Sequence, residues 1–336
     1  MDNCTHVRLK LIERSYVSFI KKEIKKISEQ VGFTSYKLAE LDIVLAEMIS
    51  NILKHAKEGE LLVKTIDTPA QKGIELISVD KGPGIANTEV MLTDGASSTN
   101  TLGQGLGSIK RLSDVFDIYS LSGWGTILLV RMYIKKPDVN ELKNSLKINA
   151  LLIPKPGEEE CGDGWHMIES NQYKRLIAMD GLGHGPEAAK AVHQAIKEFK
   201  ATGRMTPEMT VQLIHKNIRG TRGAVGMVFH LDKINNSISY VGLGNISARI
   251  LGYEKAKSLM SYNGIIGHSK PNTLKSYVTE WQKNEILVVH SDGLKSRWDL
   301  NHLPNIMNHD GSVIAAALYK DFSRNTDDLL IIIAKN

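Results

Sequence analysis

Glu47, Asn51 and His55 recur every fourth residue within an otherwise apolar stretch. On a helix they would stack along one face, where three polar groups need partners or a ligand. A plain polar stripe at a helix edge fits the same spacing. Further along, Asp80-Lys81-Gly82-Pro83-Gly84 follows a strand-like run, and Gly103-Gln104-Gly105-Leu106-Gly107-Ser108 opens a helix-like one. Glycines at a helix start let backbone N–H groups approach a phosphate, and the peptide dipoles there favour an anion. Turns use glycine as well, so Gly-x-Gly-x-Gly alone says little. The second half of the chain offers different chemistry. Asp163, Asp180, Asp292 and the pair Asp327-Asp328 stand at tight turns or at the ends of apolar runs. Each Asp-Gly taken singly reads as a turn. Together, hard carboxylate oxygens spread over β-rich segments suit Mg2+ or Mn2+, whereas zinc would call for Cys and His. So many acids in one place repel one another unless cations offset the charge.

The elements that position these residues follow from hydrophobic periodicity. The spacing predicts a helix over Leu11 to Val31, ended by Gly32, and a second over Ser35 to Ala56 whose apolar side carries Leu41, Leu45, Met48 and Ile52. Strand-like runs follow at Leu61 to Ile66 and Ile74 to Val79, then a helix around Ser108 to Val115 and two strands ending near Ile134. This pattern is an α/β sandwich. Lys135-Lys136-Pro137 and the polar residues after it read as a linker, placing a first domain at 1–137, a linker at 138–147 and a second domain at 148–336. In that second part, short β-rich runs such as Arg175 to Met179, Ala224 to Leu231, Glu285 to His290 and Leu329 to Ile333 bracket two helices, near Glu187 to Lys200 and Pro207 to Ile218. Strands around a helix pair predict a β-sandwich with helices outside.

Composition narrows the function classes. A length of 336 residues suits two domains, each large enough for its own core. The net charge of +5 is spread evenly: 18 Lys/Arg against 16 Asp/Glu over residues 1–137, and 24 against 21 in the remainder. No basic arm is set aside for nucleic acid. Lys21, Lys22, Lys25 and Lys26 alternate with isoleucines at helical spacing and read as a solvated helix face. The two cysteines, Cys4 and Cys161, are far apart in sequence and support neither a disulfide framework nor a Cys-based zinc site. No apolar run approaches the roughly 20 residues needed to cross a bilayer, and the first residues lack a signal-peptide layout, so a cytoplasmic protein is expected.

The order of the first set of motifs is informative: a Glu/Asn helix, an Asp-x-Gly-x-Gly loop, Gly-x-Gly-x-Gly at a helix start, then Gly123-Trp124-Gly125-Thr126 leading into a strand. Over residues 5 to 135 this resembles the GHKL (Bergerat) ATPase fold of histidine kinases and anti-sigma kinases. The stretch from Asp94 to Gly103 is too short for a large ATP lid, which is most similar to the RsbT and RsbW serine kinases that phosphorylate STAS-domain partners. The resemblance implies ATP with Mg2+ as ligand. By it, Asn51 would ligate Mg2+, Asp80 would accept from the adenine amino group, and Glu47 would orient or deprotonate the attacking serine hydroxyl. Gly82, Gly84, Gly103, Gly105 and Gly107, with Thr126, would shape the pocket. His55 receives no role.

The acids of the second part follow Pro154-Lys155-Pro156-Gly157-Glu158, and the piece Asp180-Gly181-Leu182-Gly183-His184-Gly185 is the most specific among them. With Arg222-Gly223-Ala224 and Gly244-Asn245 as further landmarks, residues 148 to 335 resemble the PPM-type serine/threonine phosphatases of the SpoIIE and RsbX branch, an α-β-β-α sandwich. That resemblance implies two Mn2+ or Mg2+ ions that activate water for hydrolysis of a phosphoester. Asp180 would bridge them, Asp163 and the Gly181 carbonyl would hold one, and Asp292 with Asp327 the other. His184 would protonate the leaving serine oxygen or stand behind the ligands. One departure is Leu330, where the family usually has Thr two residues after its last Asp-Asp; it leaves Asp327 and Asp328 both open as the ligand. The two resemblances imply a phosphatase fused to a kinase-like domain in a partner-switching pathway, acting on a phosphorylated STAS-domain antagonist or stressosome component. The alternative is a first domain that only docks a STAS protein or sigma factor, gated by nucleotide.

Overall fold

Thr34 has extended backbone and its hydroxyl accepts from the Lys37 N–H at 3.3 Å, which starts a helix where the apolar periodicity begins. Gly32, with φ of 104°, ends the helix before it in the left-handed conformation that glycine tolerates. These two caps separate α1 (Val17–Val31) from α2 (Ser35–His55). The computed structural model describes residues 5–11, 13–56, 58–68, 71–91, 105–136, 146–170, 172–252 and 255–336, and they fold as two compact units. Gly103 and residues 138–145 of the expected linker lie outside the described residues.

In the first unit β1 (Val7–Leu11) precedes α1, and β2 (Gly59–Asp67), β3 (Lys72–Asp80), the short α3 (Thr88–Met91), α4 (Gly105–Leu112), β4 (Val115–Leu121) and β5 (Gly125–Tyr133) follow α2. The sheet order is β1-β2-β3-β5-β4, antiparallel throughout. Ile20, Ile24, Leu41, Met48 and Ile52 of the helices share one core with Ile74, Leu76 and Val130 of the sheet. The helix expected from Leu11 is corrected here. Val7, Leu9 and Leu11 alternate with period two and pair with β2, and the helical period begins only at Val17.

The second unit contains β6 (Lys147–Ile153), β7 (Asp163–Glu169), β8 (Tyr173–Gly181), α5 (Pro186–Ala201), α6 (Pro207–Asn217), β9 (Ala224–Asp232) and β10 (Ser237–Leu243). After these come β11 (Ser247–Leu251), β12 (Ala256–Leu259), β13 (Tyr277–Glu280), β14 (Ile286–His290), α7 (Gly311–Phe322) and β15 (Leu329–Lys335). Two five-stranded sheets, β13-β10-β9-β8-β7 and β12-β11-β14-β15-β6, enclose a core that includes Ala178, Met227 and Phe229 from one and Val289, Leu330 and Ile332 from the other. The helix pair α5 and α6 packs on the outer face of the first sheet, where Ile177, Met179 and Val228 meet Val192, Phe199 and Ile214. This is the sandwich with outside helices that the strand and helix pattern predicts.

Residues 303–320, with most of α7, cluster with the first unit although they follow most of the second in sequence. The reason is a buried ionic cluster. On β3, Glu75 points away from the Ile74 and Leu76 core, and Arg131 sits opposite it on β5. Arg131 Nε donates to Glu75 Oε2 at 2.6 Å, and its two terminal nitrogens donate to both oxygens of Asp310 at 2.9 and 2.7 Å. Ser312 Oγ donates to Glu75 Oε2 at 3.0 Å, and Asp117 accepts from the Asp310 N–H at 2.7 Å. Burial pushes the Glu75 carboxyl up, but Lys64, Arg131 and His6 outweigh it and hold the group well below the usual carboxylate range.

Candidate functional sites

In the first unit the polar stripe of α2 meets the start of α4. A Cβ built on Gly105 would lie 2.7 Å from Glu47 Oε2 and 3.9 Å from Asn51 Oδ1, so the absence of a side chain there admits both groups beside the helix N-terminus. His55 is exposed in the last turn of α2. A second convergence lies at the end of β3. Asp80 Oδ1 accepts from the Gly82 N–H at 2.8 Å and the Thr126 N–H at 3.1 Å. Both bonds fall on one carboxylate oxygen, and burial still pushes the Asp80 carboxyl above its usual range. Gly125, with φ of 117°, lets the β4–β5 turn come within 2.3 Å, measured from its absent Cβ, of the Asp80 carbonyl. Gly84 turns against the Leu121 carbonyl, and Gly107 is buried inside α4. The Thr126 hydroxyl is 2.8 Å from that of Ser120. The structure thus brings Glu47, Asn51 and Gly105 together, and Asp80, Gly82 and Thr126 together.

In the second unit Asp163 and Asp180 are register partners across β7 and β8. Asp292 follows β14, and Asp327 and Asp328 precede β15, the neighbour of β14. Burial and then Asp292, Asp327 and Asp328 push the Asp180 carboxyl up to about 8. Asp163 is driven up as well, first by burial and then by Asp180. The four acidic positions are therefore close enough to perturb one another, although among the described residues no three of them close on a single point like a finished metal shell. The donor set is all carboxylate and carbonyl oxygen, which fits a hard divalent cation. Asp328 is buried, and its Oδ1 accepts from the Lys155 N–H at 2.8 Å. A Cβ on Gly162 would lie 2.8 Å from its other oxygen, so this residue is packed against the 161–162 turn. Asp327 is less buried.

Three contacts here escape sequence reasoning. Ser291 Oγ donates to Asp163 Oδ2 at 2.6 Å and accepts from the Leu330 N–H at 2.9 Å, so a hydroxyl after β14 links Asp163 to the start of β15. Asn245 Nδ2 donates to Asp292 Oδ2 at 3.0 Å. His184 Nδ1 is 2.8 Å from Glu158 Oε1, which ties the exposed histidine to the loop before β7. Asn245, His184 and Glu158 each stand in a motif read from the sequence; the pairings themselves are long-range and left no signal.

Residues 13–132 match the family of histidine kinase-like ATPase domains. The serine/threonine-protein kinase RsbT of Bacillus subtilis (strain 168) is 31% identical over 102 residues, which are 30% of this chain and 77% of RsbT. Through its first unit the chain belongs to the RsbT family. For the RsbT-like chain's second unit, the phosphoserine phosphatase RsbX of the same organism is 22% identical over 162 residues, 47% of this chain and 75% of RsbX. A solved structure of RsbX in complex with magnesium is similar in fold, with a TM-score of 0.50 at 18% identity over 56% of this chain and 98% of that one. A chain from the bacterial stressosome, described as a modular system adapted to control secondary messenger signalling, gives a TM-score of 0.53 at 27% identity, covering 57% of this chain and all of that one. The RsbT-like ATPase unit is therefore fused to a unit with the fold of the phosphatase RsbX. Among the described residues no helix is long and apolar enough to cross a membrane.

Proposed function

We propose that the second unit removes phosphate from phosphoserine or phosphothreonine on a STAS-domain partner, in a metal-dependent reaction, and that the first unit binds ATP with Mg2+ and acts on the same pathway in the opposite direction. The observation that carries the phosphatase reading is the opposition of Asp163 and Asp180 across β7 and β8, with Asp292 and Asp327 close enough to perturb Asp180. Asp163, Asp180, the Gly181 carbonyl, Asp292 and Asp327 would hold the cations. Divalent cations supply charge neutralisation at the phosphoryl group and acidify water. Asp328 is better explained as packing for the 161–162 turn, given its burial and its bond from Lys155. The His184 imidazole, held by Glu158, is placed to serve as a proton donor or to stand behind the ligands.

In the first unit, Asn51 on α2, beside the start of α4, would meet the Mg2+ of the nucleotide, and the second oxygen of Asp80 would accept from the adenine amino group. Glu47 lies on the same side as Asn51, one turn earlier, where a carboxylate can receive the proton of an incoming hydroxyl. Purified protein with Mn2+ is expected to release phosphate from a phosphoserine STAS protein, and Asp180→Asn to abolish turnover. Full activity in excess EDTA would refute the metal-dependent reading. Partners of this class are supported by the relatives: a kinase, a phosphoserine phosphatase and a stressosome chain.

A further inference from the structure

The turn after Asp180 has a basic neighbour that the phosphatase reading leaves unused. The ladder between β8 and β9 ends at the pair Gly181 and Ala224, and the Leu182 N–H extends it one step by donating to the Gly223 carbonyl at 3.1 Å. Arg222 is thereby brought against Gly183: one terminal guanidinium nitrogen is 3.0 Å from the point a Cβ on Gly183 would occupy. The backbone at Arg222 is fixed. Gly223 has a φ of 78°, and a Cβ there would meet the His268 ring at 2.5 Å. His268 Nε2 lies 2.8 Å from the Arg222 carbonyl.

The side chain itself is exposed, as is that of Arg219 three residues earlier. Neither forms an ion pair among the described residues, although acids crowd the adjoining site. Lys270 belongs to the same patch. The buried His215 accepts from the Gly267 N–H at 3.1 Å, and the charged groups acting on it include Arg219 and Lys270. Basic side chains thus lie beside a site built from acids, with Glu158 against Gly185 two residues beyond Gly183. A phosphoserine entering such a site is repelled by carboxylates that the cations do not fully neutralise, and a guanidinium at the mouth offsets this with a planar fork matched to phosphate. Further cations alongside attract acidic residues and raise the local concentration of an acidic partner.

We propose that Arg222 binds the phosphoryl group of the substrate, and that Arg219 and Lys270 receive acidic residues flanking the phosphoserine of a protein substrate. The proposal rests on the phosphatase reading of the second unit. Two phosphoserine peptides, one with Asp/Glu flanks and one with Ala/Gly flanks, and p-nitrophenyl phosphate serve as substrates for the full chain. Calorimetric titration with inorganic phosphate in Mn2+, and with Mn2+ alone, provides readouts independent of turnover. Arg222→Ala is expected to raise KM for all three substrates and to weaken phosphate binding about tenfold or more, the scale of a lost charged hydrogen bond. Its kcat should fall less and its Mn2+ affinity should stay unchanged, and Arg222→Lys should recover part of the loss. Arg219→Glu combined with Lys270→Glu should raise KM only for the acidic peptide and remove its sensitivity to salt.

Phosphate affinity and KM within twofold of the parent in Arg222→Ala would overturn the phosphoryl role. So would a parallel loss of Mn2+ binding, which marks a structural effect. Equal changes for both peptides in the double variant would overturn the docking role. If the parent protein hydrolyses none of the substrates, the phosphatase reading falls, while the phosphate titration still reports on Arg222 by itself.

Discussion

Glu47 separates transfer from binding more sharply than any other side chain of the first unit. On the proposed reading Asn51, Asp80 and the glycines would hold a nucleotide whether or not phosphate is transferred, whereas the carboxylate beside Gly105 would act on an incoming hydroxyl. With Asp180→Asn as background to silence the opposing reaction, Glu47→Gln should leave ATP affinity nearly intact. Transfer of label from ATP to a bound STAS protein should slow on the order of a hundredfold or more. A phosphatase-silent chain that labels no partner it binds would instead describe a nucleotide-gated docking module. Gly105→Val is expected to weaken Mg2+-ATP binding in a calorimetric titration, because any Cβ there stands 2.7 Å from Glu47 Oε2. Unchanged affinity would place the phosphates elsewhere. These residues were legible in the sequence because helical spacing and strand-end glycines are local signals. The pairings of Ser291, Glu158 and Arg222 were not, since their partners come from other parts of the chain, although Glu158 and Arg222 stand in motifs the sequence offers.

Among the elements, α2 and the β2–β3 and β4–β5 hairpins follow from the apolar period and their turns. Others do not, β1 and α7 among them. β1 merges into the periodic run of α1 when read without its pairing partner β2. In α7 every residue from Gly311 to Tyr319 is buried, so no polar face marks it as a helix. The contact that holds its segment is also its weak point. Arg131→Met should destabilise the first unit by about 3–5 kcal/mol, since Glu75 and Asp310 would be left as buried charges without their shared partner. Chemical denaturation followed by tryptophan fluorescence checks this, and a loss under 1 kcal/mol would mean that the cluster is solvated. The Glu75 carboxyl is held below its unfolded value, so its contribution is complete above the ordinary glutamate range and is lost as pH falls through and below it. Acid denaturation of Glu75→Gln should accordingly be less steep below about pH 4 than that of the parent.

At the scale of the whole chain, sequence reading expects a division at 138–147, yet the first unit is assembled from residues on both sides of it. A pairing 179 residues apart leaves no local trace in composition or periodicity. A fragment ending at residue 136 lacks Asp310 and Ser312, while Ile77, Leu129 and Tyr133 share the face of Glu75 and Arg131 on β3 and β5. That fragment is expected to melt below the corresponding transition of the full chain and to bind a hydrophobic dye, and a peptide of residues 303–320 should reverse part of both. A fragment with the full transition and no dye binding would show that the segment is dispensable. The same segment also sets a timetable for synthesis. At about 5–20 residues per second, Arg131 emerges on the order of ten to forty seconds before Asp310 reaches it. The ATPase unit therefore cannot complete its fold until Asp163, Asp180 and Asp292 have already been made. A chain interrupted before residue 310 would leave the kinase-like unit without the segment that closes its ionic cluster.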